Sequence, residues 1–118
     1  MRRKNNSLLP IEAEILTAAL SLQAKGVPEF HGYLVAGEIR EQKGARLLTA
    51  YGTLYKALER MERAGLIESR WEDASVAEEG WPRRRLYQVT HGGERLLAEW
   101  ASAKDGAQSV LVGRTAIP

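Results

Sequence analysis

The sequence predicts a mainly α-helical domain with one small β-hairpin, in the order helix, helix, helix, hairpin, helix. Three observations carry this. Apolar residues recur at helical spacing in four separate stretches, each bounded by proline, glycine or a capping residue. After the third stretch a segment alternates apolar and polar residues, and a second such segment returns across a loop of small and acidic residues. The 118 residues have room for one domain, and 44% hydrophobic with 27% charged residues is the balance of an ordinary globular chain. A core of this size is modest, so a second subunit would add useful burial.

Met1 to Asn6 reads as a polar arm. Ser7 to Lys25 reads as the first helix, with Pro10 in its first turn, where a missing N–H costs nothing. Ile11, Ile15, Leu16, Ala19, Leu20 and Leu22 form its apolar stripe, while Glu12 and Glu14 suit the positive end of the helix dipole. Gly26-Val27-Pro28 ends it. His31 to Gln42 reads as a short second helix with Val35, Ala36 and Ile39 toward the core and Glu38, Arg40 and Glu41 toward solvent. Gly44 closes it, and Ala45 to Leu48 turn toward Thr49, the N-cap of the next helix.

The third helix, from about Ala50 to Ala64, is the most informative stretch. Leu54, Ala57, Leu58 and Met61 fall on one stripe, and Thr53, Lys56, Arg60 and Arg63 repeat at the same spacing on the other side. Gly65 supplies the left-handed residue that stops it. Leu66 to Glu72 and Arg83 to Val89 read as the two strands of the hairpin, joined by Asp73 to Pro82. Thr90 caps a last helix running to about Lys104, with Leu96, Leu97, Trp100 and Ala101 on one face. This order is the winged helix-turn-helix layout. It divides the chain into a winged helix domain with a basic arm (1–90), a dimerisation helix (91–104) and a tail of unassigned structure (105–118).

Several function classes drop out. Without cysteine there are no disulfides, thiolate metal sites or cysteine nucleophiles. His31 and His91 lack any metal-ligand spacing: His31 suits a cap or packing position at a helix start, and His91 the first turn of the last helix. No Ser-His-Asp order, paired inward carboxylates or glycine-rich phosphate loop is visible, and Gly92-Gly93 is too short to cradle a nucleotide. No enzyme, metal or cofactor is therefore expected. No apolar run approaches the roughly 20 residues that span a bilayer, and no signal-peptide core follows the basic start, so the expected place is the cytoplasm. The net charge of +2, from 17 basic and 15 acidic residues, says little about a nucleic-acid partner; the placement of the charges says more.

A recognition helix must lock one side to the core and present donors to the major groove on the other. The third helix meets both needs. Lys56 and Arg60 suit phosphates or guanine edges, and Thr49, Tyr51, Thr53 and Tyr55 suit phosphates, with Thr53 also matching a thymine methyl. Taken alone, Lys56, Arg60 and Arg63 could simply solubilise the helix beside Glu59 and Glu62; the wing that follows favours the DNA-contacting alternative. Arg83-Arg84-Arg85 opens the second strand as a crowded cationic run that phosphates or a narrow minor groove would relieve. The same run could be balanced by Glu78 and Glu79, and Arg85 could turn inward to an acidic neighbour. Arg2, Arg3 and Lys4 either add a groove-reaching arm or are merely solvated. Leu96, Leu97 and Trp100 pack against the first helix or form a dimer interface, and the crowded core of such a domain favours the interface.

These residues suggest a family. His31-Gly32-Tyr33, Gly52-Thr53-Leu54-Tyr55 with Leu58-Glu59-Arg60, Gly65-Leu66-Ile67, Trp71-Glu72, Gly80-Trp81-Pro82-Arg83-Arg84, then Tyr87-Gln88-Val89-Thr90 and Gly93 closely resemble the PadR family of bacterial transcriptional regulators. The likeness covers about residues 9–100, with short motifs in order and at family spacing. It implies a winged helix domain with one C-terminal dimerisation helix, near-palindromic operators and, usually, repression. Some relatives release DNA on binding phenolic acids or planar drugs near the dimer interface, but no ligand-specific motif is present here. Two departures stand out. Lys56 occupies a place where the family often has proline or another small residue, which alters base preference, and the tail after Lys104 has no family counterpart.

The expected function is a sequence-specific DNA-binding repressor acting as a homodimer on duplex DNA. Two other classes fit the same residues. One is a winged helix used as a protein-interaction module, its basic front on an acidic partner. The other is an aromatic small-molecule binding protein with its pocket at Trp100, where a planar effector would stack.

Overall fold

A computed structural model of the chain describes residues 8–43, 51–73, 75 and 83–116, with the side chains of residues 43 and 104–116 outside the description. The elements are α1 (Pro10–Ala24), α2 (Gly32–Lys43), α3 (Tyr51–Arg63), β1 (Ile67–Trp71), β2 (Arg85–Val89) and α4 (His91–Ala116).

Several helix boundaries have a visible local cause. α1 starts at Pro10 rather than Ser7 because Leu9 is the extended N-cap, and its N–H donates to Glu12 Oε1 at 3.0 Å. α1 and α3 both end in the same glycine turn. Gly26 and Gly65 take φ of +91° and +80°, and the next residue's N–H reaches back to Leu22 O at 2.8 Å and Met61 O at 2.9 Å. At α2, His31 Nδ1 accepts the Leu34 N–H at 3.3 Å, which bears out its expected place as a cap. Thr90 Oγ1 accepts the Gly93 N–H at 3.0 Å and donates to Gly65 O at 2.6 Å, so one hydroxyl ties the start of α4 to the end of α3.

β1 and β2 pair antiparallel with Ile67 opposite Val89, Ser69 opposite Tyr87 and Trp71 opposite Arg85. Phe30, between α1 and α2, adds a bridge that the sequence did not announce. It exchanges two backbone hydrogen bonds with Tyr87, at 3.0 and 2.8 Å, and their rings stack with centroids 5.8 Å apart. The bridge pins the hairpin to the connection ahead of α2.

Ile15, Leu16, Phe30, Val35, Leu54, Leu58, Met61 and Ile67 are fully buried and form the centre of one core. Each such side chain contributes on the order of 1.5–3 kcal/mol of burial. Leu96, Leu97 and Trp100 are half-buried and pack against that core, so α4 is a working part of the protomer as well as its last element.

Two expectations are corrected. Glu38 is buried, not solvent-facing: Ser21 Oγ donates to its Oε2 at 2.6 Å and Lys25 Nζ at 2.9 Å. The Ser21 hydroxyl, and then the Lys25 ammonium, hold its carboxyl below the usual carboxylate range. A buried carboxylate is tolerated because a hydroxyl of α1 and the ammonium of its C-cap residue both donate to it. α4 also does not stop near Lys104 but continues to Ala116. Gly106 and Gly113 lie inside it; an interior glycine weakens a helix by about 1 kcal/mol but ends one only when it turns left-handed.

Candidate nucleic-acid interface

The interface is built on α3. Its buried stripe of Leu54, Ala57, Leu58 and Met61 locks the helix to the core. Tyr51, Thr53, Tyr55 and Lys56 stay exposed on its first two turns, as the sequence predicts. Thr49 lies outside the described residues, as do Arg2, Arg3, Lys4, Glu78, Glu79 and Gly80-Trp81-Pro82.

Aromatic contacts fix α2 against the start of α3. The Tyr55 ring and hydroxyl occupy the space where a Cβ on Gly32 would stand, so only glycine permits this approach. Tyr33, which is not among the site residues predicted from sequence, is 66% exposed and meets Tyr51 edge-on, with centroids 4.8 Å apart. Its place in His31-Gly32-Tyr33 was a motif signal; the contact across to α3 was not visible in one dimension. Partial burial, then the neighbouring Tyr33 and Tyr51, push the Tyr55 hydroxyl up, so it stays neutral and able to donate.

Beyond the second turn α3 changes character. Arg60, expected on the exposed front, is turned aside. Its Nε donates to Oε2 of Glu12 at 2.9 Å, and the Glu12 side chain is wholly buried at the start of α1. The cause is the carboxylate, which needs a cationic partner once water is excluded. Arg63 pairs with Glu59 one turn back at 2.5 Å on the surface, and Glu62 Oε2 accepts the Ser69 hydroxyl at 2.7 Å.

The wing arginines separate in the same way. Arg83 and Arg84 precede β2 and are exposed. Arg83 Nε donates to Glu72 O at 2.6 Å, and the Glu72 N–H donates to Arg84 O at 2.8 Å, which carries the ladder one step past the strands. Arg85 takes the inward alternative: its guanidinium lies over Trp71, 4.9 Å from the ring centroid, and 4.0 Å from Glu62. Arg70 clamps the hairpin to Glu29 through two hydrogen bonds of 2.7 Å.

The wing base and the helix-turn-helix are adjacent. Burial holds the His31 imidazole below its ordinary value, the nearby Arg84 charge lowers it further, and Glu72 partly opposes this. The charge of Arg84 thus reaches His31, the residue just before α2, whose neighbour Gly32 meets the Tyr55 ring of α3. Among the described residues no cluster of histidine and carboxylate groups is placed to hold a metal, and no helix is long and apolar enough to cross a membrane.

A pair of helices fastened to a β-hairpin, with donors on the outer face of the second helix, defines a winged helix-turn-helix protein. The chain belongs to the transcriptional regulator PadR-like family, whose model matches residues 21–99, and is a regulator rather than an enzyme. None of the curated proteins compared with it is similar enough in sequence to match. Among solved structures it is similar to a transcriptional regulator from Clostridium thermocellum, with 19% identity, TM-score 0.67 and 92% of this chain covered against 90% of that one. A PadR family regulator from Clostridium difficile R20291 has 28% identity and TM-score 0.61, covering 86% and 97%. Bacillus subtilis PadR in complex with operator DNA has 22% identity and TM-score 0.59, covering 77% of this chain and 46% of that one.

Proposed function

We propose that the protein binds duplex DNA as a homodimer at a near-palindromic operator and represses transcription in the cytoplasm. The observation that carries this is the exposed start of α3: Thr53 and Lys56 stand outward on a helix whose other side is fully buried. Tyr51 and Tyr55 flank them, and the exposed Arg83 and Arg84 of the wing base add cations to the same molecule's surface. The family and the operator complex of Bacillus subtilis PadR support the same use of this surface. In this reading Thr53 and Lys56 meet base edges, and Thr49, Tyr51, Tyr55, Arg83 and Arg84 meet phosphates. Arg60 and Arg85, drawn from the same two runs, contribute less directly because their guanidinium groups are engaged within the protein.

Residues 91–104 form the dimerisation helix, with Leu96, Leu97 and Trp100 shared between subunits. Pairing through α4 sets two recognition helices about one helical turn of DNA apart, roughly 34 Å. The uncovered part of Trp100 is where a planar aromatic effector would stack, and quenching of its fluorescence by such compounds tests that role. Selection of bound fragments from a random duplex library tests the whole reading. Recovery of a palindrome with half-sites one turn apart is expected; no enrichment, with salt-insensitive binding, would contradict it.

A further inference from the structure

We infer that Glu12 and Arg60 are positioning residues for the recognition helix, acting together as a buried strut between the first turn of α1 and the second half of α3. The inference rests on the DNA-binding reading of α3 and deepens it. Glu12 has no exposed surface, yet it carries a carboxylate; one oxygen accepts the Leu9 N–H at 3.0 Å and the other the Arg60 Nε at 2.9 Å. The two side chains are separated by 48 residues in sequence, so the bond ties two elements rather than trimming one helix. Arg60 follows Lys56 by one turn and is 40% exposed, at the border between the buried stripe and the outer face. Holding a side chain at that border fixes the rotation of α3 about its axis. The rotation in turn decides where Thr53 and Lys56 point, and a readout of base edges tolerates errors of only about 10–20°. Phosphate attraction is far less sensitive to angle.

The strut therefore serves specificity and leaves the number of phosphate contacts alone. The full-length protein is titrated onto its selected operator and onto a random duplex across a range of salt. Glu12→Gln keeps an oxygen for the Leu9 cap and removes the charge; Arg60→Gln removes the guanidinium; the double variant removes both. The expected result is a roughly tenfold loss in the operator-to-random ratio for each single variant, no further loss in the double, and an unchanged salt slope in all three. Arg60→Lys keeps the charge but not the Nε–H, and is expected to lose the same ratio, which covers the case of an Arg60→Gln chain too unstable to assay. A salt slope lower by about 0.9 in Arg60→Gln, with Glu12→Gln unaffected, would instead make Arg60 a direct phosphate contact and overturn the inference. Losses that add in the double variant would overturn it too. A wild-type chain that binds neither duplex would remove the DNA-binding reading, and the strut's role with it.

Discussion

The two halves of α3 do different work. From Tyr51 to Lys56 the outward side chains are exposed and surround the contact with α2; from Glu59 to Arg63 the charged side chains are engaged by Glu12, by each other and by Ser69 of β1. Thr53, Lys56, Arg60 and Arg63 recur at helical spacing along one side, so periodicity alone treats the halves alike. Their surroundings separate them. The first half faces outward beside the tyrosines, and the second half lies where α1 and the hairpin close over it. One amphipathic helix thus has a reading end and a holding end, which suits a recognition helix entering a groove by its first turns.

The largest effect that would break this comparison is expected from Gly32→Ala. The added methyl takes the space of the Tyr55 hydroxyl and ring edge, so that ring must swing off α2 and a side chain of the reading end is displaced. A lowered melting temperature with reduced operator affinity is the expected outcome; an unchanged affinity would uncouple Tyr55 from the site. Lys56→Ala comes next, with about 1–3 kcal/mol of operator affinity lost and the fold intact, measured by equilibrium titration. Arg84→Gln should act mainly through charge, flattening the salt dependence by close to one phosphate's share, about 0.9 in slope. The smallest effect belongs to Arg63→Ala at the holding end, whose exposed pair with Glu59 is worth under ~0.5 kcal/mol to stability and nothing to the operator.

A pH titration sharpens the same boundary. The folded protein holds His31 below its ordinary 6.5, so the unfolded chain takes up the proton first as pH falls. The cap on Leu34, which needs an unprotonated Nδ1, is fully effective above that value and is lost progressively below it. The melting temperature is therefore expected to fall as pH drops below about 6.5, and to fall less steeply in His31→Ala. Equal slopes in the two proteins would assign the acid sensitivity elsewhere.

Much of this was legible in the sequence because it is local. The stripe of Leu54, Ala57, Leu58 and Met61, the stop at Gly65, the cap at Thr90 and the pairing of the two strands all depend on near neighbours, and each appears in the structure as expected. The alternation of β1 holds at Ile67 and Ser69 but fails at Trp71, which is exposed. What escaped is long-range or geometric. Glu38 looked solvent-facing because its partners Ser21 and Lys25 lie on α1 and at its C-cap. Arg60 was expected on the exposed front, with only Glu59 and Glu62 as local partners, because Glu12 is far away in the chain; the Phe30 bridge gave no signal because its strand partner Tyr87 comes after the wing. Arg85 sat in a run of three arginines, and only the opposed Trp71 shows why it differs from Arg83 and Arg84.

Amide resonances followed during titration with an operator duplex test the division of α3 most directly. The account predicts that shifts and broadening concentrate at residues 51–56 and around Arg84, while the amides of Arg60 to Arg63 change little. Perturbation centred on Arg60 to Arg63, with the tyrosine end silent, would contradict it.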